Sequence, residues 1–313
     1  MNRRFACTSL LAMAASLGFA LASPSASAEG TKTIGLAVAN LQADFFNQIK
    51  QSVVAYAKQK GVDVITVDAK GDAATQVNQI QDLLTRHIDA LIYIPAGATA
   101  AGVPVRAAKS AGVPVVAVDR NAPDAPGDTF IATDSEAAAE QLGDWIVAQT
   151  KGHGTVAELQ GQLGTTPELA REKGFTKSLS KAPGLKVVAR QSADWAQDKG
   201  FAVAQDMLQK DPKIDVIFGH ADAMALGAAQ ATKIAGLGHK VLIAGFDGDF
   251  AGLKAVRGGV IDVTMTQQTQ RMGRMAVDSA LDLIAKKAVP PQQLLPATLT
   301  TKANVGPFIA DHP

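Results

Sequence analysis

Val115-Val116-Ala117-Val118-Asp119-Arg120 is the stretch on which the fold turns. Four small or β-branched apolar residues end abruptly in a carboxylate and a guanidinium. Pro114 fixes φ at the entry and Gly112 interrupts whatever precedes it, so the run reads as a short, fully buried strand. In an open parallel sheet, side chains just past the carboxyl ends of strands face the crevice where ligands bind. Asp119 and Arg120 would offer a two-oxygen acceptor and a planar donor fork there, both suited to bidentate, charge-assisted hydrogen bonds. A neutral ligand with several adjacent hydroxyls matches such a pair. The alternative is a salt bridge closing a loop.

Strand and helix alternate on either side of that run. Before it, 33–39, 62–67 and 89–94 read as strands. Helices are expected over 44–57, 75–86 and 99–109, and Phe46, Ile49, Val53 and Ala57 recur at helical spacing in the first. After it come Ile131-Ala132 and a helix over 136–150, and then a second series begins. Its strands are 155–159, 185–191, 216–218, 241–244 and 260–265. Its helices are 169–179, 200–209, 224–234, 253–255 and 272–284, until Pro290-Pro291 breaks the pattern. Repeats of roughly 25–30 residues imply parallel βαβ units with right-handed crossovers. Two such series imply two doubly wound α/β lobes, although periodicity does not assign the late elements to either one.

The first residues stand outside this pattern. Met1-Asn2-Arg3-Arg4 is a basic head, Leu10 to Leu21 an apolar run, and Ala26-Ser27-Ala28 a small-x-small sequence. Together they predict a secretory signal, residues 1–28, cleaved after Ala28. Cys7 is the single cysteine and leaves with it, so neither disulfides nor thiol chemistry is expected in the mature chain. Arg3-Arg4 raises export in the folded state as a lesser alternative. The chain carries 30 basic and 29 acidic residues. Such balance argues against nucleic acid, which demands a basic face, and against direct membrane association. No later segment reaches the ~18 consecutive apolar residues of a membrane-spanning helix.

Enzyme signatures are missing as well. Gly152-His153-Gly154 precedes a strand instead of following one, and neither a Walker-type Gly-Lys-Ser/Thr nor a Gly-x-Ser-x-Gly elbow occurs. His87, His153, His220, His239 and His312 are scattered without metal-ligand spacing. A protein that uses no metal or cofactor is expected, with a secreted α/β enzyme as the remaining alternative. The strand ends carry a different chemistry. Phe45 and Phe46 follow the first strand, Arg171 comes after Gly161-Gln162-Leu163-Gly164, and Trp195 stands beyond Gln191. His220, Ala221 and Asp222 follow Phe218, Phe246 and Asp247 follow the 241–244 strand, and Gln267 follows Met265. Sugar rings ask for this mixture, because their C–H faces stack on aromatics while their hydroxyls meet planar polar groups. Singly, Phe46 has an alternative as core, Asp222 as a helix N-cap and Arg171 as a surface ion pair.

Ile34-Gly35-Leu36-Ala37-Val38 with Asp44-Phe45-Phe46, Val118-Asp119-Arg120 and Glu158-Leu159-Gln160-Gly161 carry a family resemblance. So do Ala170-Arg171-Glu172-Lys173-Gly174-Phe175, Met224-Ala225-Leu226-Gly227-Ala228 and Gly245-Phe246-Asp247-Gly248. In order and spacing, over nearly the whole mature chain, they resemble the ribose-binding branch of the periplasmic sugar-binding proteins. That resemblance implies a type I periplasmic-binding-protein fold, two doubly wound parallel-sheet lobes joined by three crossover strands. Residues 29–133 with 268–296 would form one lobe and 134–267 with 297–313 the other. It implies a periplasmic monomer that closes on a small neutral sugar or polyol and delivers it to an ABC transporter permease. A chemoreceptor or sensor kinase is the alternative reader of the closed form. A sugar-responsive transcription regulator shares the core, but it needs a basic helix-turn-helix where residues 1–28 read as a signal.

By the same resemblance, Phe45, Phe46, Asp119 and Arg120 would contact sugar from the first lobe. Arg171, Trp195 (usually Phe in the family), Phe246, Asp247 and Gln267 would do so from the second. Asp222 joins them from the strand-end pattern. Two departures bear on specificity. The ribose binders carry Asn just before Pro-Phe-Phe, where this chain has Ala43 before Asp44. Their Gln-Asn-Asp-Glu-Met run, in which an Asn contacts sugar, reads His220-Ala221-Asp222-Ala223-Met224 here. Ala43 and Ala221 thus remove two amides, and His220 and Asp222 are candidates to refill part of the gap. A site lacking such groups discriminates weakly at the hydroxyls they would grip. Ribose is therefore not expected to be the tightest ligand.

Overall fold

The computed structural model describes residues 30–312; the expected signal, 1–28, lies outside the described residues. β1 (Thr33–Val38), β2 (Asp63–Asp68), β3 (Ala90–Tyr93), β4 (Val115–Val118), β5 (Thr129–Thr133) and β11 (Gln292–Leu295) form one sheet. Its order is β11-β5-β4-β3-β1-β2, parallel throughout. The second sheet contains β6 (Gly154–Gln160), β7 (Leu185–Ser192), β8 (Val216–Gly219), β9 (Leu242–Asp247), β10 (Val263–Thr266) and β12 (Thr298–Thr301). Its order is β12-β10-β9-β8-β6-β7, and the edge strand β12 runs antiparallel to β10. Strands covered on both faces are continuous apolar runs instead of alternating ones. Every residue of β3, β4, β8 and β10 is accordingly buried.

Helices supply the cover. In the first lobe α1 (Asp44–Gln59) buries Phe46, Ile49, Val53 and Ala57 on one stripe and packs along α9 (Thr269–Ile284). The approach is close enough that a Cβ on Gly273 would meet the Ile49 carbonyl oxygen at 3.0 Å. α2 (Ala73–Thr85) and α3 (Gly102–Ser110) cover the opposite face. In the second lobe α4 (Ser135–Thr150) pairs with α5 (Thr166–Leu179) over one face. α6 (Gln197–Lys210), α7 (Asp222–Ala235), α8 (Phe250–Gly258) and α10 (Val305–Ala310) cover the other. Trp145 on α4, a position whose helical setting predicts burial, is half-buried.

Two strands have no counterpart in the sequence reading. β11 follows Pro290-Pro291, and only Leu295 of Gln292-Gln293-Leu294-Leu295 is buried. Neither a buried run nor a clean alternation marks it, because its place is set by pairing with β5. The chain passes between the sheets three times, at Asp134, at Gln267-Gln268 and at Pro296-Ala297. These crossings lie side by side. The Asp134 N–H donates to the Leu295 carbonyl and the Gln268 amide to that of Pro296, both at 2.8 Å. The Thr133 hydroxyl donates to Gln267 Oε1.

Candidate ligand-binding cleft

A cavity of about 690 Å³ lies between the sheets. Its walls are the segments just beyond the carboxyl ends of strands, as doubly wound sheets dictate. The first lobe contributes Asn40 and Gln42 after β1, Phe45 and Phe46 at the start of α1, and Asp119 and Arg120 after β4. The second contributes Gln162 after β6, Arg171 on α5, Trp195 after β7, Ala221 after β8, and Asp247 and Asp249 after β9.

Both arginines are built into the wall. Arg120 Nη1 donates to the carbonyls of Pro95 (3.1 Å) and Ala96 (3.3 Å), and its Nε lies 3.6 Å from the Asp119 carboxylate. Its guanidinium faces the rings of Phe46 at 5.1 Å and Trp195 at 5.6 Å. Arg171 answers from the other lobe. Its Nη1 donates to the His220 carbonyl, its Nη2 sits 3.3 Å from Asp247 Oδ1, and its guanidinium lies 3.8 Å over Phe246. Trp195 therefore faces two guanidinia, since Arg171 is 5.3 Å from its ring. It also covers Gly161, where a Cβ would meet the indole at 2.1 Å.

What these contacts leave open defines the chemistry. Asp119 accepts no hydrogen bond from the described residues and has only its ion pair with Arg120. Arg120 Nε, Arg171 Nε and Trp195 Nε1 are buried without acceptors. Buried polar groups are nearly always paired. A carboxylate that accepts no hydrogen bond, beside three donors without acceptors, suits a ligand that both donates and accepts, which is what adjacent hydroxyls do. Burial raises the Asp119 carboxyl above its usual range, against the pull of Arg120 and Arg171. Asp247 is pushed up to about 7 by burial, which Arg171 opposes and Asp119 reinforces. Asp119 (φ 60°), Trp195 (φ 65°) and Asp247 (φ 121°) all hold left-handed backbone without being glycine. Such conformations cost about 1–3 kcal/mol each and gather at binding sites.

A family model described as a periplasmic binding protein domain matches residues 34–288. The chain belongs to that family. The ribose import binding protein of Bacillus subtilis (strain 168) is 34% identical over 270 residues, covering 86% of this chain and 87% of its own. The xylitol-binding protein of Mycolicibacterium smegmatis is 33% identical over 304 residues, 94% of this chain and 85% of its own. Among solved structures, the periplasmic binding component of the arabinose ABC transporter from Shewanella sp. ANA-3 was captured with α- and β-L-arabinofuranose. It superposes with a TM-score of 0.84 at 28% identity, over 90% of this chain and 95% of that one.

In this periplasmic binding protein several strand-end residues lie off the cavity wall. Asp222 is fully buried, accepting the N–H groups of Gly248 and Asp249 (2.9 Å each) and the Thr264 hydroxyl (2.6 Å). It fixes the loop that carries Asp247, and burial beside Asp247 raises its carboxyl to about 8. Phe246, equally buried, is the surface on which Arg171 rests. Gln267 donates to Asp247 Oδ1 at 2.8 Å and accepts from Thr133, joining the cavity floor to the crossings. His220 turns back toward Glu158 Oε2, 3.6 Å away, and burial lowers its pKa. Ala43 and Ala221 line the cavity. The expectation that His220 and Asp222 refill the space beside them is corrected, because both side chains are drawn inward.

The sequence reading missed Asn40, Gln42 and Asp249. The first two sit directly after β1, where the strand-end rule would have found them. Asp249 precedes α8 and reads as an ordinary cap. Among the described residues, no group of His, Cys, Asp and Glu is placed to hold a metal ion, and no helix is long and apolar enough to cross a membrane.

Proposed function

We propose that this protein captures a small neutral sugar or polyol in the cleft between its lobes and delivers it to an ABC transporter permease. The observation that carries the reading is a set of polar groups around one cavity: the Asp119 carboxylate, ion-paired with Arg120 but accepting no hydrogen bond among the described residues, and Nε of Arg120, Nε of Arg171 and Nε1 of Trp195, which have no hydrogen-bond acceptor. Hydroxyls, which both donate and accept, suit a wall of this chemistry, and the Phe46 and Trp195 rings offer faces for C–H groups. Ribose and xylitol, the ligands in the relatives' names, and the arabinofuranose of the solved structure are all five-carbon polyhydroxyl compounds.

Phe45, Phe46, Asp119 and Arg120 act from a first lobe of residues 29–133 and 268–296, and Arg171, Trp195 and Asp247 from a second of 134–267 and 297–313. Phe246, Asp222 and Gln267 act behind them, holding Arg171 and Asp247 in place. The presence of β11 in one sheet and β12 in the other supports this division. Bridges across the cleft support closure by a hinge: the Phe250 N–H donates to Asp44 Oδ2 at 3.1 Å, and the Asn121 N–H to Thr166 Oγ1 at 3.3 Å. The protein acts as a periplasmic monomer released by cleavage after Ala28.

A thermal-shift screen of the mature protein against pentoses, hexoses and polyols tests the reading. A ligand at a hundred times its Kd stabilises by about 2.7 kcal/mol, a shift of several degrees. Because Ala43 and Ala221 leave hydroxyls ungripped, another pentose or a polyol is expected to shift the melt more than ribose. A panel in which nothing shifts it refutes the function, and ribose outranking every other compound refutes the role of the two alanines.

A further inference from the structure

The cleft carries more negative charge than its neighbours balance. Asp44, Asp119, Asp194, Asp247 and Asp249 line it, against Arg120, Arg171 and Lys199. Four of these carboxylates have partners. Asp119 faces Arg120, Asp247 faces Arg171 and Gln267, and Asp194 faces Lys199. Asp44 accepts from the Phe250 N–H and Gln48 and lies 3.3 Å from His312.

The Asp249 side chain has neither a hydrogen bond nor an ion pair among the described residues. This absence is unexpected at its position. Asp249 is the N-cap residue of α8, where an Asp ordinarily accepts from the first-turn N–H groups, yet its side chain makes no capping bond. Its backbone is fully used instead, the N–H donating to Asp222 and the carbonyl accepting from Leu253. Oδ1 is buried without a donor while the residue lines the cavity. Asp249 as a whole is half-buried, but a buried carboxylate oxygen left this way is costly unless a cation or donor arrives. Burial and the nearby carboxylates of Asp247, Asp222 and Asp44 hold its pKa well above the usual range, with Arg171 opposing them. Every titratable neighbour but one therefore disfavours the charge that an incoming cation would favour.

We propose that the cleft, beside neutral sugars and polyols, also takes a sugar or polyol in which an amino group replaces one hydroxyl and holds it more tightly than its neutral parent, the ammonium seated against Asp249. This rests on the cleft being a polyhydroxyl site and adds one contact to it. Neutral parents still bind through Asp119, Arg120 and Arg171 and offer Asp249 a hydroxyl donor, but not the positive charge that the ammonium brings to its carboxylate.

Calorimetric titration of the mature protein with matched pairs decides the matter. The pairs are D-glucosamine with D-glucose, D-galactosamine with D-galactose, and 1-amino-1-deoxyxylitol with xylitol. In at least one pair the amine is expected to bind tenfold or more tightly than its parent. Asp249→Asn is expected to erase that preference while changing the parent's affinity less than threefold, and since the native side chain makes no bond and burial disfavours its charge, the variant should melt no lower than the wild type. The preference should also shrink on acidification, as Asp249 takes up a proton and the amine keeps its own. Parents that match or exceed their amines in every pair overturn the inference and leave the sugar-binding function standing, as does an Asn variant that keeps the preference. If no member of any pair binds, the inference falls, while the sugar-binding function is decided by the wider panel of pentoses, hexoses and polyols.

Discussion

Replacing Asp119 by Asn separates what this carboxylate does for a ligand from what it does for the fold. The side chain accepts no hydrogen bond from the described residues, and Arg120 keeps the Pro95 and Ala96 carbonyls when the charge is removed. Asn tolerates the φ of 60° held at this position better than Ala does, so the backbone is expected to stay in place. Burial raises the carboxyl's pKa, so the folded protein holds the ionised form less well than the unfolded chain does. At neutral pH the unfolded side chain is charged and folding must bury that charge. Removing it is therefore expected to leave the ligand-free melting temperature unchanged or raised.

For the ligand the sign is opposite. A hydrogen bond to a charged group contributes roughly 1.5–3 kcal/mol, which is on the order of 10- to 100-fold in Kd. Asp119→Asn is expected to weaken binding by that factor, read by calorimetric titration with the best compound of the screen and by scanning calorimetry without ligand. A variant that binds as tightly as the wild type, or that melts lower when empty, would refute the reasoning.

Two further outcomes follow from the same groups. Asp247 and Asp222 lose their protons in the folded state only near about 7 and about 8, against an ordinary 3.8. Between those values the folded protein keeps protons that the unfolded chain has released, so ligand-free stability should fall as pH rises through the window; a flat or rising melting temperature there contradicts the account. Trp195 faces the cavity while Trp145 sits half-buried on α4. Ligand should thus change the fluorescence of the wild type and not that of Trp195→Phe, and a variant that keeps the full change places the responding indole elsewhere.

The doubly wound lobes are legible in the sequence because burial on both faces writes itself as unbroken apolar runs. Val115–Val118 is fully buried, and the polar residues that end it, Asp119 and Arg120, emerge at the cavity. β11 is not legible, since its residues are set by hydrogen bonding at a sheet edge and carry no pattern of their own. The candidate site divides along a similar line. Strand ends mark where side chains can reach the cleft, but direction depends on partners that are distant in sequence.

Asp222 and Asp249 show this limit from opposite sides. Both stand at the start of a helix, and both could be read as caps. Asp222 opens α7, yet its carboxylate turns inward because Gly248, Asp249 and Thr264 bring three donors to it. The glycines at 245 and 252 leave it room, since a Cβ on either would approach its carboxylate to 2.2 Å. Having taken the Asp249 N–H, Asp222 holds that residue at the cavity while its own side chain stays uncapped. One buried carboxylate thereby fixes the loop from which a half-buried one is presented unpaired. Neither orientation is encoded locally: it arises only when β9 and β10 bring Gly248 and Thr264 alongside α7.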